Sequence, residues 1–101
     1  LLQSRERARK QALANSTFVR RLCPWRILEG AEGCVNTCTW SAGGDLLVGS
    51  GDDTLAQLWH GPHFTEAAHV PTGHMGNVFC AKFVPETNGA SLATAAIDGS
   101  V

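Results

Sequence analysis

At 101 residues, with 44% hydrophobic and 17% charged positions, the chain falls within the range of one small globular domain and outside those of disordered and membrane-bound sequences. No run approaches the ~18–20 apolar residues of a membrane helix, and Leu1-Leu2 followed by charges offers no signal-peptide core, so an intracellular setting, nucleus or cytoplasm, is expected. The net charge of −1 hides a split: seven basic residues against Glu6 make residues 1–26 a +6 arm, while Lys82 against eight acids leaves the rest at −7.

Residues 4–22 are rich in helix formers and carry the Glu6/Lys10 pair four apart, which predicts one helix ending near Cys23, where Pro24 disfavours further helical geometry. Phe18, Val19 and Leu22 share one side of that helix, between Arg20 and Arg21. Asn15-Ser16-Thr17 fits a glycosylation sequon but is read as coincidence without a secretory signal. From Arg26 onward the pattern changes to short apolar runs between turn residues. Strands are predicted at Val35–Trp40, Leu46–Gly49, Leu55–Trp59 and Glu66–Val70, separated by Ser41–Asp45, Gly51–Thr54 and the loop from His60. Eleven glycines and four prolines also argue against a helical bundle.

The chain repeats itself. Gly30, Gly33, Val35, Cys38 and Trp40 align at a shift of 43 with Gly73, Gly76, Val78, Ala81 and Phe83, and Leu47 and Asp53 align at a shift of 45 with Leu92 and Asp98. Four short strands at this period are the mark of WD-type propeller blades, which stack because one blade cannot cover both of its faces. The expected fold is all-β: a partial WD-repeat β-propeller of about two blades, the second incomplete, behind an N-terminal α-helical arm. The expected units are the arm 1–26, repeat 1 at 27–70 and repeat 2 at 71–101. A first residue other than Met and an end at Asp98-Gly99-Ser100-Val101 are what a piece of a longer protein would show, and such a piece is expected to be marginally stable.

Gly73-His74, Asp53-Thr54, Asp98-Gly99 and Trp59, six residues after Asp53, resemble the WD-repeat signature. More narrowly, Gly33–Thr37, Gly49–Thr54, Gly73–Pro85 and the preceding Phe18-Val19-Arg20-Arg21-Leu22 resemble the first repeats of WD-repeat substrate receptors of cullin-4 RING ubiquitin ligases. The branch indicated is that of the nuclear receptor interaction protein, followed by the WD and tetratricopeptide repeat branch. The resemblance implies a structural network of loop His, strand Ser or Thr, turn Asp and strand Trp. His74, Thr94 and Asp98 supply it in repeat 2. In repeat 1 Asp53 and Trp59 remain, but Ala31 stands for the His and Gly49 for the Ser or Thr, so blade 1 is expected to lack the full network and to rely more on packing. Trp40 and Phe83 are expected between blades, and Cys38 as a small buried filler.

The resemblance further implies a non-catalytic substrate receptor that docks the propeller adaptor of the ligase through residues 1–26, with Phe18, Val19 and Leu22 as anchors beside Arg20 and Arg21. Trp59 is followed by His60-Gly61-Pro62 and not by the Trp-Asp-x-Arg of many such receptors. Two other readings stand beside this one: a general WD scaffold without a ligase link, and nucleic-acid contact through the basic arm, the latter disfavoured because no aromatics interleave before Phe18. Neither cofactor nor metal is expected. Cys34 and Cys38 on one strand would lie roughly 13 Å apart at ~3.3 Å per residue, too far for thiolates sharing one zinc or for a disulfide, and His60-x-x-His63 lies in an open Gly-Pro loop. Asp52-Asp53 reads as turn chemistry, and no nucleophile elbow, phosphate loop or paired catalytic carboxylates occur, so no enzyme is expected.

Overall fold

The computed structural model describes residues 1–101 and places two helices before six strands. Helix α1 spans Leu2–Leu13 and α2 spans Ser16–Arg20. The single helix predicted over 4–22 is therefore corrected to two. The break falls at Asn15, whose side chain accepts from the backbone N–H groups of Thr17 and Phe18 at 3.0 and 3.2 Å, closing the first turn of a new helix. Neither helix buries a side chain.

Strands β1 (Val35–Trp40), β2 (Leu46–Gly51), β3 (Leu55–His60) and β4 (Thr65–Pro71) form one antiparallel four-stranded sheet in chain order. This is a complete blade. Strands β5 (Val78–Phe83) and β6 (Leu92–Ala96) form the first hairpin of a second. The repeat is visible in the backbone as well as in the sequence. A bulge interrupts the pairing between Val35 and Thr37 and again, at the equivalent place, between Val78 and Cys80. Asp52 N–H donates to the Cys34 carbonyl at 3.0 Å, and Ile97 N–H to that of Asn77 at 2.9 Å.

The blades meet through one face of the first sheet. Val48, Ala56 and Ala81 are fully buried at the junction, with Leu58, Phe83 and Leu92 packed around them. Strand alternation puts Leu47, Trp59 and Trp40 on the opposite face. Phe83 thus packs between the two blades, and Trp40, its equivalent in blade 1, lies on the face turned away from blade 2 and is 46% exposed. Cys38 shares that open face and is exposed, which corrects the expectation of a buried filler. With Leu28, Val35, Leu47 and Trp59 it lines a groove of about 110 Å³, where partial desolvation pushes its thiol pKa up. No helix of the structure is long and apolar enough to cross a membrane.

Candidate functional site

Each blade is tied at one end by an aspartate in its second turn, and the two ties are built alike. Asp53 Oδ2 accepts from Glu32 N–H at 3.1 Å, and Asp98 Oδ2 from Met75 N–H at 2.8 Å. The other oxygen closes the turn itself: Asp53 Oδ1 accepts from Leu55 N–H at 3.1 Å, and Asp98 Oδ1 from Ser100 N–H at 3.0 Å. One carboxylate therefore joins the loop entering the first strand to the turn after the second, which a neutral side chain of other shape could not do on both sides.

In blade 2 the structure brings His74, Thr94 and Asp98 together. His74 Nε2 lies 2.8 Å from Thr94 Oγ1, and Nδ1 lies 3.3 Å from Asp98 Oδ1 and 2.8 Å from Ser100 Oγ. The His74 side chain is 5% exposed. Ser100 was not picked out from the sequence, although its place two residues after the turn aspartate was a signal for an Asx turn. Its hydroxyl donates to Asp98 Oδ1 at 2.7 Å. Because that is its only hydrogen, Nδ1 of His74 must be the donor toward Ser100, and in the neutral ring Nε2 accepts from Thr94. The donor bonds from Met75 N–H and from Ser100, more than the charge of His74, hold the Asp98 pKa far below the usual carboxylate range.

A serine, a histidine and an aspartate in contact invite comparison with a hydrolase triad. The proton arrangement opposes it. Ser100 already donates to Asp98, and the nitrogen that faces it carries a hydrogen, so no base is placed to take the serine proton. The geometry suits a brace.

Blade 1 has no His or Thr at the matching positions and so lacks the full network, but a different side chain bridges its loop and turn. Gln57, 3% exposed in β3, donates through Nε2 to the Gly30 carbonyl at 3.0 Å and to Asp53 Oδ2 at 3.1 Å. It spans the loop and the turn in place of the missing histidine. The available signal was a polar residue between Ala56 and Leu58 in an otherwise apolar run. Trp59, 9% exposed, lies over Gly49, where an added Cβ would stand 3.4 Å from its ring. The glycine in the strand Ser/Thr position is what lets the indole settle there.

Asn36 was also missed. Its Nδ2 donates to Asp52 Oδ1 at 2.9 Å and to the Val78 carbonyl at 3.3 Å, joining blade 1 to the first strand of blade 2. No sequence signal marks it, since its partners come from a turn and from another blade. In the β1–β2 turn, Ser41 donates to Asp45 at 2.7 Å, and this bond leads the causes that lower the Asp45 pKa. The arm residues Phe18, Val19 and Leu22 are exposed, and Arg20 and Arg21 with them. All four cysteines are free, and no group of three or more His, Cys, Asp or Glu side chains is placed to hold a metal ion.

Residues 22–60, the leading segment and strands β1 to β3 of the first blade, match the model of the WD domain, G-beta repeat family. With the doubled turn network and the two stacked blades, this makes the chain a WD-repeat chain, folded as part of a β-propeller. Among curated proteins it is 39% identical over 87 residues, 86% of its length, to Protein ALTERED SEED GERMINATION 2 of Arabidopsis thaliana. It is 38% identical over 84 residues, 83% of its length, to WD and tetratricopeptide repeats protein 1 of Homo sapiens. To human DDB1- and CUL4-associated factor 6 it is 30% identical over 100 residues, 99% of its length. The chain spans 12% of each of these relatives. No solved structure gives a significant match.

Proposed function

We propose that the chain belongs to an intracellular, non-catalytic interaction scaffold that serves as a substrate receptor of a cullin-4 RING ubiquitin ligase. The blades supply a rigid frame, and the arm supplies the contact with the ligase adaptor. One observation carries the reading. The likeness to DDB1- and CUL4-associated factor 6 runs through 99% of the chain, so it includes the arm and not only the blade motif that any WD protein shares. The arm's structure is compatible with docking. Its helices bury nothing, and Phe18 and Val19 on α2, with Leu22 just beyond its end, stand free beside Arg20 and Arg21, apolar anchors of the kind that enter a partner's groove.

The test is recovery of the adaptor by the full-length polypeptide, with and without residues 1–26. Recovery by the intact form and its loss on deletion is the expected result; no recovery by either form overturns the ligase reading. The residues His60-Gly61-Pro62 after Trp59 favour the second reading, a WD scaffold outside any ligase, which would give that negative result. Contact of the basic arm with nucleic acid predicts instead a binding that weakens steeply with salt.

A further inference from the structure

The connector between arm and blade is fixed at both ends of strand β3. At the far end, the Gly30 carbonyl accepts from Gln57 and Glu32 N–H donates to Asp53, bonds at 3.0 and 3.1 Å. At the near end the attachment is aromatic. The Trp25 ring meets Phe64 edge-on, with centroids 5.5 Å apart at 66°, and Phe64 meets Trp40 at 5.7 Å and 58°. Arg26 Nη1 donates to the carbonyl of His63 in the same turn. Between the two points Leu28 lies beside Trp59.

The far attachment belongs to the repeat, because Met75 and Asp98 reproduce it in blade 2. The near one does not. At the shift of 43, Trp25 and Arg26 align with Ala68 and His69, which can form neither the ring contact nor the guanidinium bond. Phe64 also holds φ at +54°, a left-handed geometry that is unfavourable for a bulky side chain and needs compensating contacts. A contact that the blade fold does not require, held at a strained residue, calls for another purpose.

We propose that Trp25, Arg26, Phe64 and Trp40 form a clasp that sets the direction in which the arm leaves the blade, and so positions Phe18, Val19 and Leu22 for their partner. The clasp rests on the reading of the arm as a docking element. A segment held at one point can swivel, whereas a segment held at two points along β3 keeps one heading. Pre-setting that heading removes ordering entropy from the later docking step. The clasp is also readily opened, since Trp25 remains 73% exposed.

The experiment is limited trypsin digestion of the full-length polypeptide, followed through the sites after Arg20, Arg21 and Arg26, in the wild type and in Trp25→Ala, Trp25→Phe and Phe64→Leu. Trp25 is largely exposed, so its substitution leaves the blade's thermal transition in place. Cleavage after Arg26 is expected to rise about tenfold in Trp25→Ala and Phe64→Leu, as loss of aromatic pairing allows, and to stay near wild type in Trp25→Phe. Unchanged cleavage in both of the first two variants overturns the clasp. Adaptor affinity, measured on the same proteins, is expected to fall about three- to tenfold in Trp25→Ala and to recover in Trp25→Phe. Faster cleavage with unchanged affinity overturns the positioning role. Faster cleavage in a protein whose wild type binds no adaptor supports the clasp and defeats the receptor reading instead.

Discussion

Asp98 and Asp53 are the same turn aspartate in two settings, and the difference decides how each blade is tied. Around Asp98 the donors are Met75 N–H, Ser100 N–H and the Ser100 hydroxyl, with His74 behind them, and together they depress the carboxyl pKa. A depressed folded-state pKa contributes stability that is fully present above the unfolded value of about 3.9 and is lost as pH falls toward the folded value. Blade 2 is therefore expected to loosen below about pH 4. Thermal melts of wild type and Asp98→Asn between neutral and acidic pH check this. The gap between them should be widest near neutrality and close on acidification; a gap independent of pH would mean that the carboxylate charge is not what the turn uses. Around Asp53 the third donor is the amide of Gln57, where blade 2 has the His74 imidazole beside its aspartate.

At the level of elements, the first hairpin depends on a close approach that only glycine permits. An added Cβ on Gly51 would overlap the Cys34 carbonyl oxygen, a backbone atom fixed by its own bond from Asp52 N–H at 3.0 Å. The neighbouring bulge between Val35 and Thr37 brings the strands this near. Gly51→Ala is expected to cost about 2–3 kcal/mol, because neither strand can retreat without breaking the ladder. A urea titration of the full-length polypeptide reads it as a lower midpoint, and an unchanged midpoint would show that the bulge can relax. The arm shows the opposite economy of contacts. Pro24 marked where helix must stop, but the earlier break came from Asn15 folding back on Thr17 and Phe18, a choice between continuing and capping that helix propensity alone leaves open.

At the scale of the molecule, burial is sparse: 11 of 101 residues are buried, and the fully buried cluster is the seam between the blades at Val48, Ala56 and Ala81. The other face of blade 1 is open along Val35, Trp40 and the groove beside Trp59. Edge and face of this kind are normally covered in a propeller by further strands. The 101-residue polypeptide alone is expected to bind the dye ANS and to melt over a broad range. A sharp, cooperative transition of a monomer without dye binding would show that one blade and the hairpin of a second suffice. The charge split has a spatial meaning too, since the six net positive charges of residues 1–26 lie on helices and connector outside the sheets, and the acids lie in and around the blades.

The sequence by itself determined the period, the strands and the turn aspartates, because a blade is specified by local signals: alternating side chains, glycine-rich turns and an Asx-turn residue at fixed spacing. β1 and β5 begin at Val35 and Val78, at the expected shift of 43. Tertiary structure alone decided which face each strand shows to its neighbour, and so sent Trp40 and Cys38 to the open side and Val48 to the seam. It also decided the partners of Gln57, Asn36 and Trp25, which lie 27, 42 and 39 residues away in the chain at Gly30, Val78 and Phe64. Contacts of that separation depend on how blades stack and how loops return. Strand periodicity carries no record of either, because a period of two fixes alternation without saying which side will be covered.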